Sequence, residues 1–225
     1  MHAETWFRPF CFSGMAHPAA CGPRTGYGIN QRHGCGYNPG RHPGGKTREL
    51  DIGPDGNWTD AGFKSRYQAE LANGLGNLVN RSLSMLKRYR NGIVPAKSNE
   101  LAADAAKAVE ETRALLQQNQ LQSALQSIWG LVNRANKYVD ETAPFKLAKD
   151  QAQARRLDEV LYNLVETCRV LAVLLNPYLP GTTAKIYAQL GLSGVPNKFS
   201  EANWGGLQPS HQTGEPAPLF PRKDV

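Results

Sequence analysis

The sequence predicts an all-α fold, an antiparallel bundle of about five helices, for most of its 225 residues. From residue 59 onward, apolar side chains recur at the i, i+3, i+4 and i+7 spacing of amphipathic helices. The segments between these periodic stretches are short, so consecutive helices are expected to pack antiparallel. Both observations apply only to the part of the chain from residue 59 onward.

The first three helices follow from the periodicity and from the residues that interrupt it. Thr59 can cap the first helix with its hydroxyl group, and Asn91-Gly92 is expected to end it. A second helix is expected over residues 99–118. The third has its apolar positions between Leu121 and Val139.

The fourth helix has the clearest signal, an apolar stripe that runs from Leu157 through Cys168 and stops at Asn176-Pro177. We expect Cys168 to be an ordinary core residue. A short fifth helix is expected over residues 182–190. The proline-rich tail after residue 194 is expected to be extended and to fold back across the bundle.

Two regions are predicted, a low-order segment over residues 1–47 and the helical domain over residues 48–225. The first region holds nine Gly, five Pro and three of the four Cys, and it shows no helix or strand period. Such a segment buries too little apolar surface to offset the entropy of ordering it.

Residues 40–47 match the phosphate-loop pattern Gly-x-x-x-x-Gly-Lys-Thr. A working phosphate loop needs a strand before it and a helix after it, and the flanking residues predict neither. Nucleotide binding through Lys46 and Thr47 is therefore a weak rival interpretation. The cysteines of this region lack the paired spacing of a zinc site, so we expect no metal.

The composition also limits the cellular context. The net charge is +7, and more than half of the excess lies in the first 50 residues. No apolar run approaches the roughly 20 residues of a membrane span. The sequence shows no secretory signal, so we expect a cytoplasmic protein with reduced cysteines and no membrane partner.

Four sequence blocks follow one another in the second region: DGNWT at 55–59 with RYQAELANGLGNLVNRSLSM at 66–85, NKYVDETAPF at 136–145, LYNL at 161–164, and WGGL at 204–207 with PLFPR at 218–222. In their order and spacing, from about residue 48 to the C-terminus, they resemble the anticodon-binding domain of methionyl-tRNA synthetase. The resemblance implies a helical bundle that binds the anticodon stem-loop of methionine tRNA. It also places the anticodon-reading residues at Asn77, Arg81, Pro144 and Phe145, where Phe145 replaces the family's usual Trp.

The residue types agree with that role. Asn73, Asn77 and Arg81 are spaced i, i+4, i+8, so they are expected to share one face of the first helix. Unpaired RNA bases are read by stacking on aromatic rings or Arg and by hydrogen bonds to their edges. Phe145 offers a ring for such stacking.

Other residues are candidates for contact with the RNA backbone, and two glycines of the first helix indicate a close contact. Asn73 and three cations are candidates for the backbone: Lys87, Arg88 and Arg90. Gly74 and Gly76 are unfavourable inside a helix, which indicates close approach by a neighbouring helix or by RNA.

The residues proposed to contact RNA also have ordinary structural interpretations. A polar i, i+4 stripe is commonly a solvated helix face, and Pro144-Phe145 can be a helix start with a buried ring. On this interpretation the chain is a decayed structural or dimerising bundle that does not bind RNA.

The resemblance does not extend to catalysis. By family the chain would belong to a methionine–tRNA ligase that binds ATP and methionine, but neither ATP signature of the family occurs in this sequence. We therefore expect no cofactor in this chain, no aminoacylation by it alone, and a separate catalytic chain as a candidate partner. Residues 1–47 bear no likeness to the family, and we interpret them as a misread frame or a degraded 5′ gene region; an intact single frame on resequencing would contradict that.

Overall fold

The computed structural model describes residues 59–221, and this part of the chain is helical, without a named strand. The elements in chain order are α1 (Asp60–Arg66), a π-helical segment (Tyr67–Gly76), α2 (Asn77–Arg90), α3 (Ala102–Gln117), α4 (Leu121–Thr142), α5 (Pro144–Leu147), α6 (Ala154–Leu175) and α7 (Pro180–Gln189). Single turns of 3-10 helix occur at Gln151–Gln153 and Phe199–Ala202. The all-α prediction is confirmed.

The predicted first helix is present over its full extent but is not α-helical throughout. Thr59 caps it, because its hydroxyl oxygen accepts a hydrogen bond from the Gly62 amide at 3.1 Å. Asn91 ends it in the left-handed conformation, with φ of 54°. Between α1 and α2 the chain continues as a π-helix, which the periodicity did not predict.

Helix α6 is the centre of the bundle. Nearly all of its residues from Val160 onward are buried, and it contacts α2, α3, α4, α5 and α7. Cys168 lies in this core, as the stripe predicts, and burial raises the pKa of its thiol to about 12. The helix ends at Leu175, directly before Asn176-Pro177.

The tail folds back across the bundle as the sequence predicts. It pairs with the loop after α2, where the Val94 amide donates to the His211 carbonyl at 2.9 Å. The Thr213 amide donates to the Gly92 carbonyl at 2.8 Å. Gly92 has a φ of 79°, and a Cβ added there would meet the Gln212 side chain at 2.8 Å, so glycine suits this crossing.

A buried carboxylate anchors the middle of the tail to α6. Glu166 is fully buried and accepts hydrogen bonds from the amides of Gly205 and Gly206, both at 2.8 Å, and of Leu207 at 3.0 Å. The Arg169 guanidinium pairs with the same carboxylate at 2.7 Å. It also donates to the carbonyls of the tail, at Glu201 and Asn203. This one cluster therefore fixes the tail to the central helix.

Several sequence hypotheses fall outside the described residues. These are the low-order region 1–47 with its boundary at residue 48, the phosphate-loop pattern at 40–47 and the cysteines before residue 59. Within residues 59–221, no helix is long and apolar enough to cross a membrane.

Candidate nucleic-acid interface

Helix α2 presents its polar side to solvent. Leu78, Val79 and Leu83 are buried against the core, whereas Asn77 is exposed and the Arg81 side chain is 35% exposed. The amide of Asn77 therefore has both donors and its acceptor available to a ligand. The solvated face predicted for Asn77 and Arg81 is present.

Arg81 has a partner in the structure, which is Asp140 near the end of α4. The guanidinium Nη2 lies 3.5 Å from the Asp140 carboxylate oxygen, and the Asp140 side chain is 72% exposed. An exposed ion pair of this kind contributes about 0–1 kcal/mol. A stronger anionic or hydrogen-bonding ligand can therefore displace Asp140 from Arg81 at low cost.

The chain reverses direction after α4 and places an aromatic ring on the surface. Ala143 adopts a left-handed conformation with φ of 42°, and Pro144 starts α5 at its first position. Pro144 is buried, while Phe145 is 48% exposed. The structural alternative predicted a helix start at Pro144 and a buried Phe145 ring. The helix start is confirmed, and the buried ring is wrong because the ring lies on the surface.

Two contacts hold the end of α4 beside the opening helix. One is the Arg81–Asp140 pair, and the other is the Asn136 amide, which donates to the Gly74 carbonyl at 3.4 Å. Phe145 follows Asp140 by five residues. The exposed ring of α5 therefore follows, within five residues, the point at which α4 contacts the polar face of α2.

A buried polar network also joins α4 to the central helix α6. The Asn163 amide on α6 donates to the Ser98 hydroxyl at 3.0 Å and to the Tyr138 hydroxyl at 3.4 Å. Burial raises the pKa of Tyr138 to about 12, and the nearby Glu100 carboxylate adds to the shift. The neutral Tyr138 hydroxyl accepts the hydrogen bond from Asn163, and the network joins α4 to α6.

Comparison with known proteins decides the family. Residues 90–222 match the family model described as the anticodon-binding domain of methionyl tRNA ligase. The chain belongs to this family. The match includes Pro144 and Phe145, whereas Asn77 and Arg81 precede it.

Curated relatives and solved structures agree with this assignment. The methionine–tRNA ligase of Caldanaerobacter subterraneus subsp. tengcongensis is 36% identical over 184 residues, covering 79% of this chain and 29% of the relative. That of Bacillus subtilis is 39% identical over 188 residues, covering 79% of this chain and 28% of the relative. The apo crystal structure of Mycobacterium tuberculosis methionyl-tRNA synthetase superposes with a TM-score of 0.73 at 32% identity, covering 79% of this chain and 37% of that one. The chain thus spans less than a third of the length of these curated relatives.

The residues of this anticodon-binding domain that are predicted to contact the RNA backbone differ in how free their side chains are to bind a ligand. Arg90 is committed to the fold, because it pairs with Asp158 and donates to the carbonyls of Tyr89 at 2.8 Å and Ala154 at 3.1 Å. Lys87 pairs with Glu215 of the tail. Arg88 is exposed.

Asn73 is also exposed, and it lines a cavity of about 650 Å³ together with residues of α1 that include Phe63. Arg88 and Asn73 are therefore the better placed of the four candidates for the RNA backbone.

Sequence reasoning missed two cations of this domain. Lys146 and Lys149 are exposed on and just after α5, next to Phe145. Their spacing of one and four residues from Phe145 was a usable signal, since it puts two positive charges in the same short segment as the ring. They place positive charge beside the aromatic ring.

Of the two glycines of the opening helix, only Gly76 is explained by a close contact. A Cβ added at Gly76 would lie 3.0 Å from the Leu71 carbonyl oxygen and 3.0 Å from Cδ2 of Phe220. At Gly74 an added Cβ would meet only the Ala69 carbonyl oxygen, at an ordinary 3.6 Å, and the Asn136 amide bonds to the Gly74 carbonyl, which any residue could supply. The predicted close approach is therefore present at Gly76, where the neighbour is the tail, and is not found at Gly74.

Proposed function

We propose that this chain binds the anticodon stem-loop of a methionine tRNA, with the unpaired bases held between α2 and the ring of Phe145. The observation that carries the proposal is the exposed Phe145 ring five residues after Asp140, the ion-pair partner of Arg81. A single exposed apolar side chain is common on protein surfaces, so the ring supports the proposal through its place in the chain next to the residue that contacts the polar face of α2. Membership of the anticodon-binding family supports the choice of ligand.

Each group has a distinct role in this proposal. Phe145 stacks on an unpaired base, a contact that tolerates any base because every base has a π face. Asn77 and Arg81 supply directional hydrogen bonds to base edges, which discriminate between bases. Pro144 is buried, so we assign it the role of orienting Phe145 rather than touching RNA.

The cations give affinity without sequence preference. Arg88, Lys146 and Lys149 are exposed around the two reading elements and can neutralise phosphates. Because each neutralised phosphate releases counterions, binding should weaken as salt rises. A tRNA ligand also places the proposed function in the cytoplasm.

The proposal also concerns ATP and methionine, the ligands of the ligase reaction. We propose that this chain holds neither ATP nor methionine, and that a separate catalytic unit supplies the ligase chemistry of the relatives. The support is the absence of both ATP signatures of the family from this sequence. Methionine-dependent ATP–pyrophosphate exchange by the purified chain alone would contradict this assignment.

Substitution of Phe145 tests the proposed function. Phe145→Ala should weaken binding of a methionine-anticodon stem-loop by about tenfold or more, because base stacking on an aromatic ring contributes about 1–3 kcal/mol. Phe145→Trp should bind at least as tightly as the natural chain, since the indole offers a larger stacking face. The measurement is fluorescence anisotropy with a labelled stem-loop.

Val195→Ala is the matched control, because Val195 is also an exposed apolar residue, at 50% exposure, and belongs to the tail rather than to the interface. It should leave the dissociation constant unchanged. Equal binding by Phe145→Ala and the natural chain would exclude the stacking role, and no binding by the natural chain would refute the function.

A further inference from the structure

The π-helical segment lies directly before the residues proposed to read RNA, and its geometry changes which side chains are in line. A π-helix has about 4.4 residues per turn instead of about 3.6, because its hydrogen bonds join residues five apart. In the structure the Asn77 amide bonds to the Ala72 carbonyl, five residues earlier. The wider turn therefore extends to the start of α2.

The wider turn aligns Asn73 with Arg81. In an uninterrupted α-helix two residues eight apart differ by about 80° around the axis. With the first four of those residues in π geometry, the difference falls to about 10°. Asn73 and Arg81 then lie nearly in line along the helix, with Asn77 about 30° to one side, and Asn73 is exposed at the end of this row.

Such a segment needs support, because a long run of π-helix is rare and has no advantage in an isolated helix. The support comes from the end of the tail, which touches both the first and the last residue of the segment. The Tyr67 hydroxyl donates to the Pro221 carbonyl at 3.0 Å. The Tyr67 ring meets the Phe220 ring edge-on with centroids 6.0 Å apart.

Phe220 also packs on Gly76 at the other end of the segment. A Cβ at Gly76 would approach both the Phe220 ring and the Leu71 carbonyl to 3.0 Å, so a side chain at residue 76 would push against the ring. The tail thus spans the π segment from Tyr67 to Gly76, while Asn136 holds Gly74 from α4.

We propose that Phe220 and Pro221 are positioning residues that hold residues 67–76 in π geometry and thereby place Asn73 in line with Arg81, where it contacts the RNA backbone next to the residues that read the bases. This inference rests on the proposed function for its RNA readout, but the clamp itself is a property of the free chain. It connects a residue near the end of the tail with recognition by a helix about 145 residues earlier in the sequence.

Hydrogen exchange of the free chain tests the clamp. Phe220→Ala should speed amide exchange of residues 71–77 by about tenfold or more while α6 keeps its protection. Phe220→Tyr, which retains the ring, should restore slow exchange. Pro218→Ala is the control, since Pro218 is an exposed neighbour in the tail. Unchanged exchange over 71–77 in Phe220→Ala would overturn the proposal.

A double-mutant cycle on stem-loop binding tests the positioning. Asn73→Ala should weaken binding several-fold in the natural chain and hardly at all in the Phe220→Ala background, because Asn73 is then no longer in place. Equal effects in both backgrounds would show that Phe220 does not position Asn73. If Phe220→Ala fails to fold, Tyr67→Phe, which removes only the bond to Pro221, should give the same pattern at smaller amplitude.

If the natural chain binds no stem-loop, the proposed function fails. The exchange result then still decides whether the tail holds the π segment.

Discussion

Arg81→Ala is expected to weaken binding of the methionine-anticodon stem-loop by about 10- to 100-fold. A guanidinium that makes a directed hydrogen-bonded contact to a base contributes about 1–3 kcal/mol, and each 1.4 kcal/mol is a factor of ten. The stability of the chain should hardly change, because within residues 59–221 the variant loses one ion pair, the exposed one with Asp140. Isothermal titration calorimetry and thermal melting measure the two effects separately.

Arg113→Ala provides a control of equal charge. Arg113 is 44% exposed on α3 and lies 3.9 Å from Glu110, so its removal lowers the net charge by the same amount at another place. It should reduce affinity only by a small Coulombic factor. Equal losses in the two variants would indicate non-specific attraction, and no loss for Arg81→Ala would favour a structural or dimerising bundle that does not read RNA.

Glu166→Ala is expected to have the largest effect on stability. It would leave the Arg169 guanidinium buried without its carboxylate, and three backbone amides of the tail without an acceptor. Removal of one partner of a buried ion pair costs about 3–5 kcal/mol. For a domain of this size the melting temperature should fall by about 10 °C.

Glu110→Ala is the matched control, because the Glu110 side chain is 74% exposed and its contact with Arg113 is loose. Its free energy of unfolding should change by less than about 0.5 kcal/mol. If Glu166→Ala melted at the temperature of Glu110→Ala, the carboxylate would not be the anchor of the tail.

The strongest helix predictions came from local signals. The apolar stripe from Leu157 and the stop at Asn176-Pro177 predicted the extent of α6 well. A buried helix shows a clear apolar period, and proline marks its end. Thr59 and Asn91 gave the ends of the opening helix, because caps act within one turn of the residue that makes them.

The π segment was not predictable from the same signals. Its register depends on contacts with Phe220 and Asn136, which lie far away in sequence. Helix period and propensity give no separate signal for a π turn. Glu166 is a similar case, since a charged residue outside the apolar stripe is expected to face solvent and gives no sign that the tail will bury it.

The candidate site was predicted in part. The exposed face of Asn77 and Arg81 followed from spacing, whereas the commitment of Arg90 to Asp158 and to two carbonyls did not. Whether a cation faces solvent or the fold depends on its tertiary neighbours, and sequence spacing does not supply these. The exposure of Lys146 and Lys149 depended in the same way on the turn at Ala143.

A paired titration tests whether this domain distinguishes the unpaired bases of the anticodon. The natural chain is titrated with the methionine-anticodon stem-loop and with the same hairpin carrying the three anticodon bases in scrambled order, at one fixed salt concentration. We expect binding at least about tenfold tighter to the cognate loop, since each misread base costs about 1–3 kcal/mol. Equal affinity for the two hairpins would contradict base recognition by this chain.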